Sequence, residues 1–168
     1  MRRAARPLAI GCLVLALAGC GLPPAGSSTT THAAPEQTVI GGWRSPGQAV
    51  RVFAATFINW TAATISARLQ ALADVSLGQA RSAMRLAASE AGRDYELQRS
   101  GVANTGTVEA VAPLTSAPRQ YVVVTREQTT SRDATPDRGL APAWHVTLAA
   151  VTRVPGGLWV LSRWQPES

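Results

Sequence analysis

Few residues in this sequence are suited to acid–base, nucleophilic or metal chemistry, and they are scattered. The chain holds two histidines and two cysteines, which are His32, His145, Cys12 and Cys20. His145 and Tyr121 fall in stretches that read as strands, and they are the candidate pocket residues. A strand-borne base beside a phenol is what proton abstraction inside a pocket requires. His145 belongs to the face opposite Trp144, Val146 and Leu148, which places it toward solvent. Asp133 and Asp137 share a polar loop with Pro136 and Gly139, where turn formation accounts for them. The region that can fold holds one His and no thiol, so neither a metal centre nor any other cofactor is expected. There is no G-x-S-x-G elbow, no P-loop and no H-E-x-x-H pattern, and no catalytic constellation is expected.

Charge narrows the partners. Lys and Arg together number 16 against 10 acids, and every one of these cations is Arg, the bias of a GC-rich genome. Arg2, Arg3 and Arg6 lie at the extreme N-terminus, so the remainder carries about +3, too little to point to nucleic acid. A mildly basic domain beside anionic lipid is the expectation.

The N-terminus supplies the sharpest signal. Three arginines precede an apolar run from Leu8 to Leu17, about half the roughly twenty residues needed to span a bilayer but right for a signal-peptide core. Leu17-Ala18-Gly19-Cys20 follows and resembles the bacterial lipobox. The resemblance implies cleavage before Cys20 and acylation of its thiol with palmitate-class chains. Residues 1–19 are then a signal peptide, and Cys12 leaves with it. Two acyl chains on one residue give stable anchoring. Residues 20–42 are rich in Pro, Gly, Ser, Thr and Ala and read as a disordered tether with His32 solvated in it. As a coil it spans roughly 25 Å. Cys20 is the lipidation site, and the expected location is the extracytoplasmic face of a cell membrane.

Residues 43–168 read as one α+β domain. Ser45 and Gln48 have capping-box spacing with Pro46 at the first helical position, and Val50, Phe53, Phe57 and Trp60 mark one helical face. A second helix is expected from about Ala62 to Asp74. A third is expected after a second capping box at Ser76 and Gln79, with Gly92 as its stop. Arg81 and Arg85 on that helix read as a solvated basic face. The period then changes to two. Strands are expected from Val102 to Ala112, with a bend at Gly106, from Gln120 to Thr129, from Trp144 to Val154, and from Leu158 to Trp164. Pro155-Gly156-Gly157 turns the last pair into a hairpin. Trp60, Trp144 and Trp164 fit core or pocket-lining roles, while Trp43 and Trp159 read as exposed.

Three helices on a curved, roughly four-stranded antiparallel sheet is an α+β layout. The aromatic helix from Val50 to Trp60 and the Trp-rich hairpin from Trp144 to Trp164 give it an element order that resembles the nuclear transport factor 2-like, or cystatin-like, cone. The stretch Ala54-Ala55-Thr56-Phe57 with Asn59-Trp60 is similar to actinobacterial membrane-tethered domains of conjugative-transfer and type IV secretion assembly factors. That resemblance implies a binding or scaffold module with an envelope protein as partner. An aromatic and basic patch on the sheet, near Arg119, Arg126 or Arg163, would suit such an interface. The alternative is a small-ligand carrier or enzyme that uses the cone's pocket, which predicts a deep cavity containing His145 or Tyr121.

Overall fold

The computed structural model describes residues 38–131 and 141–167. The expected signal peptide, Cys12, Cys20, most of the expected tether with His32, and the stretch with Asp133, Pro136, Asp137 and Gly139 lie outside the described residues. Residues 38–42, assigned to the tether on composition, make contacts with the domain: Ile40 N donates to Asp74 O at 3.3 Å, and Thr38 O accepts from Arg81 Nη2 at 2.8 Å.

The elements run α1 (Pro46–Ile58), β1 (Trp60–Thr61), α2 (Ile65–Asp74), α3 (Gly78–Arg93), α4 (Tyr95–Ser100), β2 (Ala103–Leu114), β3 (Ala117–Thr130), β4 (Ala143–Arg153) and β5 (Trp159–Pro166). The three expected helices and four expected strands are present. The two additions are short: a six-residue helix capped by Asp94, whose carboxylate accepts from Leu97 N at 2.8 Å, and a two-residue strand. The five strands form an antiparallel meander in sequence order, curled into a half-barrel.

Helix α1 begins as its sequence dictates, with Gln48 N donating to Ser45 Oγ at 3.2 Å. It buries Ala49, Val50, Phe53, Ala54 and Ile58, the first four in one cluster with Tyr121 and Val123 of β3 and Ala149 and Val151 of β4. Phe53, Phe57 and Trp164 meet there, with ring centroids 4.9 and 5.4 Å from Trp164. Tilted aromatic contacts of this kind add about 0.5–1.5 kcal/mol each beyond simple burial.

Curvature has identifiable sources. Register shifts leave Glu109 of β2 and Ser162 of β5 without a paired residue opposite, and bulges of this kind bend a strand and raise its twist. Gly106, expected to supply the bend, is instead paired regularly with Glu127. A Cβ there would stand 2.8 Å from Arg126 O and 3.1 Å from Ile58 Cδ1, so glycine is needed for close approach of α1. At the β4–β5 hairpin, Gly156 and Gly157 take φ of 85° and 79°, the left-handed conformations that the turn requires.

Two side-chain amides complete the sheet edges. Asn59 accepts from Gly106 N and donates to Gly106 O, both at 3.1 Å. At the other edge Gln79 accepts from Trp164 N at 2.9 Å and donates to Trp164 O at 3.3 Å. Each amide satisfies the donor and acceptor that a further strand would have taken.

This changes the reading of the second capping box. Gln79 faces β5, and Ser76 is fully buried with its hydroxyl donating to Leu72 O at 2.6 Å. The residue capping α3 is Leu77, without a side-chain bond. Gly92 does not stop α3, which runs to Arg93. A Cβ at Gly92 would lie 3.2 Å from Ser66 Oγ, so it marks where α2 and α3 pack closely.

Arg81, expected on a solvated face, is 5% exposed. Its Nε donates to Ala73 O at 3.2 Å, and Nη2 donates to Thr38 O at 2.8 Å and Asp74 O at 3.4 Å. One guanidinium therefore satisfies the C-terminal carbonyls of α2, where the helix dipole favours a cation, and holds residue 38 against the domain. Arg85 is exposed as expected. Arg81→Met keeps much of the apolar stem but removes every donor. It is expected to cost about 2 kcal/mol or more, read as a lower urea midpoint, together with faster amide exchange at residues 38–42. An unchanged midpoint would mean that water replaces the guanidinium at no cost.

Candidate functional site

Along β3 the inner face of the sheet changes character. At one end it is Tyr121 and Val123, sealed under α1, and further on come Thr125, Glu127 and Thr129. Helix α1 stops at Ile58, and beyond it the cone opens into a cavity of about 540 Å³, within the range usual for small-molecule sites. Phe57, Trp60, Ile65, Leu69 and Ala87 form its apolar wall, and Asn104, Glu127, Thr129 and His145 contribute polar groups.

The polar groups form one network around Asn104, which is 4% exposed. Its Nδ2 donates to Ile58 O and to Glu127 Oε2, both at 2.8 Å, and its Oδ1 accepts from Thr129 Oγ1 at 2.9 Å. Thr125 Oγ1 donates to Glu127 Oε1 at 2.6 Å. The carboxylate is thus held by a neutral donor on each oxygen, and among the described residues no cation pairs with it. Sequence reasoning overlooked both Asn104 and Glu127. The usable signal was alternation: Thr125, Glu127 and Thr129 continue the face begun by Tyr121 and Val123.

The structure separates the two residues selected from sequence. Tyr121 is buried in the core and pairs in register with Ala149, whereas His145 pairs with Thr125. Four residues along a strand separate them by about 13 Å. His145 lines the open cavity, is itself exposed, and its imidazole makes none of the described side-chain hydrogen bonds. Its strand face is the reverse of the expectation. Thr147, Ala149 and Val151 are buried on β4, so His145 shares the inner face with them. Trp144, Val146 and Leu148 point outward.

The outer face is accordingly rich in apolar side chains. Trp144 is 62% exposed and Val146 42%. In register beside them lie Arg126 opposite Trp144, Val124 opposite Val146 and Val122 opposite Leu148. Ala110 and Ala112 of β2 extend the strip. Arg126 also pairs with Glu109 at 3.6 Å, both side chains substantially exposed. Trp43 and Trp159, expected outside, pack against the core, and their backbones bond each other reciprocally at 2.9 and 2.8 Å. Trp60 lines the cavity and Trp164 is 3% exposed, as expected, whereas Trp144, expected in the core or pocket with them, stands on the outer face. The Trp164 indole nitrogen is buried without a hydrogen-bond partner, so ring packing dominates there.

Among the described residues no helix is long and apolar enough to cross a membrane, and no three His, Cys, Asp or Glu residues gather as metal ligands. No protein-family model matches the sequence, and no curated protein matches it. The fold is similar to a solved structure of the VirB8 protein of Agrobacterium tumefaciens. The TM-score is 0.51 at 10% sequence identity, over 72% of this chain and 90% of that one. At that identity the likeness establishes the fold: an α+β cone with a curled antiparallel sheet.

Asn104→Leu preserves approximate volume but leaves Ile58 O, Thr129 Oγ1 and one oxygen of Glu127 without their partner. The expected loss is about 2–3 kcal/mol of unfolding free energy, measured by urea denaturation. A loss below about 0.5 kcal/mol, the range of an ordinary surface change, would show that the network does not support the fold.

Proposed function

We propose that the chain is a membrane-anchored extracytoplasmic lipoprotein whose cone domain is a protein-binding scaffold module in a conjugative-transfer or secretion assembly. The observation that carries this reading is the outer face of the sheet. Trp144 and Val146 stand exposed there, with Val122, Val124 and Leu148 in register and Arg126 alongside. Aromatic and Arg residues are the side chains most enriched where protein partners bind tightly, and a contiguous apolar patch of this kind on a soluble domain usually marks an interaction surface. The partner this favours is another envelope protein that offers an apolar recess to the indole and a carboxylate or carbonyl to Arg126. The likeness of fold to VirB8 supports the assembly context, and the Leu17-Ala18-Gly19-Cys20 sequence supports the anchor.

The two halves of the proposal separate experimentally. Cys20→Ser is expected to abolish metabolic labelling with palmitate and to leave a precursor retaining its leader. Undiminished labelling would remove the anchor from the reading. For the docking half, a photo-crosslinking residue in place of exposed Ala110, on the same outer strip, should give one discrete adduct in living cells, identified by mass spectrometry as an envelope protein. Trp144→Ser with Val146→Thr should weaken that adduct at least ~30-fold, the effect of about 2 kcal/mol at a hot spot, with thermal stability unchanged. An adduct that survives the double substitution would move the interface elsewhere.

A further inference from the structure

We infer that the open end of the cone binds a small organic cation, an amine or ammonium on an apolar body, with Glu127 as its counter-ion. The inference is independent of the docking proposal, because the cavity opens on the inner face of the sheet and the docking patch lies on the outer.

Charge complementarity selects the ligand class. The Glu127 carboxylate lines a cavity whose remaining wall is mostly apolar. Its two oxygens accept from Thr125 Oγ1 and Asn104 Nδ2, which orient it without neutralising it. An ionised carboxylate can accept about four hydrogen bonds, and these two leave acceptor capacity for a ligand. Three arginines among the described residues are committed or directed away. Arg81 is bound to carbonyls at the α2 terminus. Arg126 meets Glu109 and stands opposite Trp144 on the outer face, while Arg51 donates to Val108 O. His145, facing the same cavity, is exposed and forms no described bond to Glu127.

The walls suit the same class. Phe57 and Trp60 both line the cavity, and aromatic faces attract cations by about 0.5–2 kcal/mol depending on desolvation. Ile65, Leu69 and Ala87 provide apolar surface for the ligand's body. An anion would meet the carboxylate's repulsion. A neutral alcohol would hydrogen-bond to it without gaining a charge–charge term. The volume of about 540 Å³ admits a ligand of modest size.

The test uses the full chain reconstituted in nanodiscs of zwitterionic lipid, with empty nanodiscs subtracted. Three probes of nearly equal shape are titrated calorimetrically at pH 8: 2-phenylethylammonium, 2-phenylethanol and phenylacetate. The ammonium is expected to bind at least ~10-fold more tightly than the alcohol, the effect of one charge-assisted hydrogen bond, and phenylacetate more weakly than either. Glu127→Gln should erase the preference for ammonium over alcohol. Should that variant unfold, the wild-type series decides alone, with Trp60→Leu expected to weaken ammonium and alcohol together. Equal binding of all three probes, a preference for phenylacetate, or no binding at millimolar concentration would each overturn the inference.

Discussion

A thirteen-residue helix cannot cover a fourteen-residue strand, and the architecture follows from that disparity. Helix α1 is about 20 Å long at 1.5 Å per residue, whereas β3 extends about 48 Å at 3.4 Å per residue. Where α1 lies over the sheet, the inner face is apolar and closed around Phe53, Tyr121, Val123 and Trp164. Where the helix ends, at Ile58, α1 no longer covers that face, and the space is left between the sheet and Ile65, Leu69 and Ala87 of α2 and α3. Asn104 donates to the last carbonyl of α1 at that point, and the residues beyond it are hydroxyls, a carboxylate and an imidazole. The cavity is thus the unfilled remainder of a sheet longer than its helix, and its polar side begins at the helix terminus.

The same geometry explains which parts of the fold were legible in the sequence. Helix α1 was legible because an apolar stripe, an N-cap Ser and a Pro agree with one another. The hairpin at Pro155-Gly156-Gly157 was legible because few other sequences suit its backbone. The facing of β4 was not. Alternation divides Trp144-His145-Val146-Thr147-Leu148-Ala149 into two sets but does not say which set is inward when the larger side chains form an outer patch. Close packing of α1 selected the small set, Thr147 and Ala149, and so carried His145 inside with them. Arg81, Gln79 and Asn59 were illegible for another reason. Each serves a backbone group distant in sequence, and no local pattern records a carbonyl eight or a strand eighty-five residues away.

The domain presents two surfaces of different chemistry on opposite sides of one sheet. Outside is a shallow apolar strip with Trp144 and Arg126; inside is a recess with aromatic walls and a carboxylate at one side. β3 contributes to both, because successive residues alternate between them. Arg126 and Glu127 are adjacent in the chain, and their charges are delivered to opposite faces. Two kinds of recognition can therefore coexist within one small domain without sharing a side chain.

The amides of Asn59 and Gln79 also act as chain stoppers in the polymer sense. A β-sheet grows when an edge offers a periodic row of donors and acceptors to an incoming backbone. An amide on a side chain answers one residue of that row and then ends, because it has no successor along a main chain. On β2 the row past Val108 is interrupted again at Pro113, which has no N–H to offer. Edges terminated in this way do not let an edge-to-edge encounter between two copies extend into a continuous sheet.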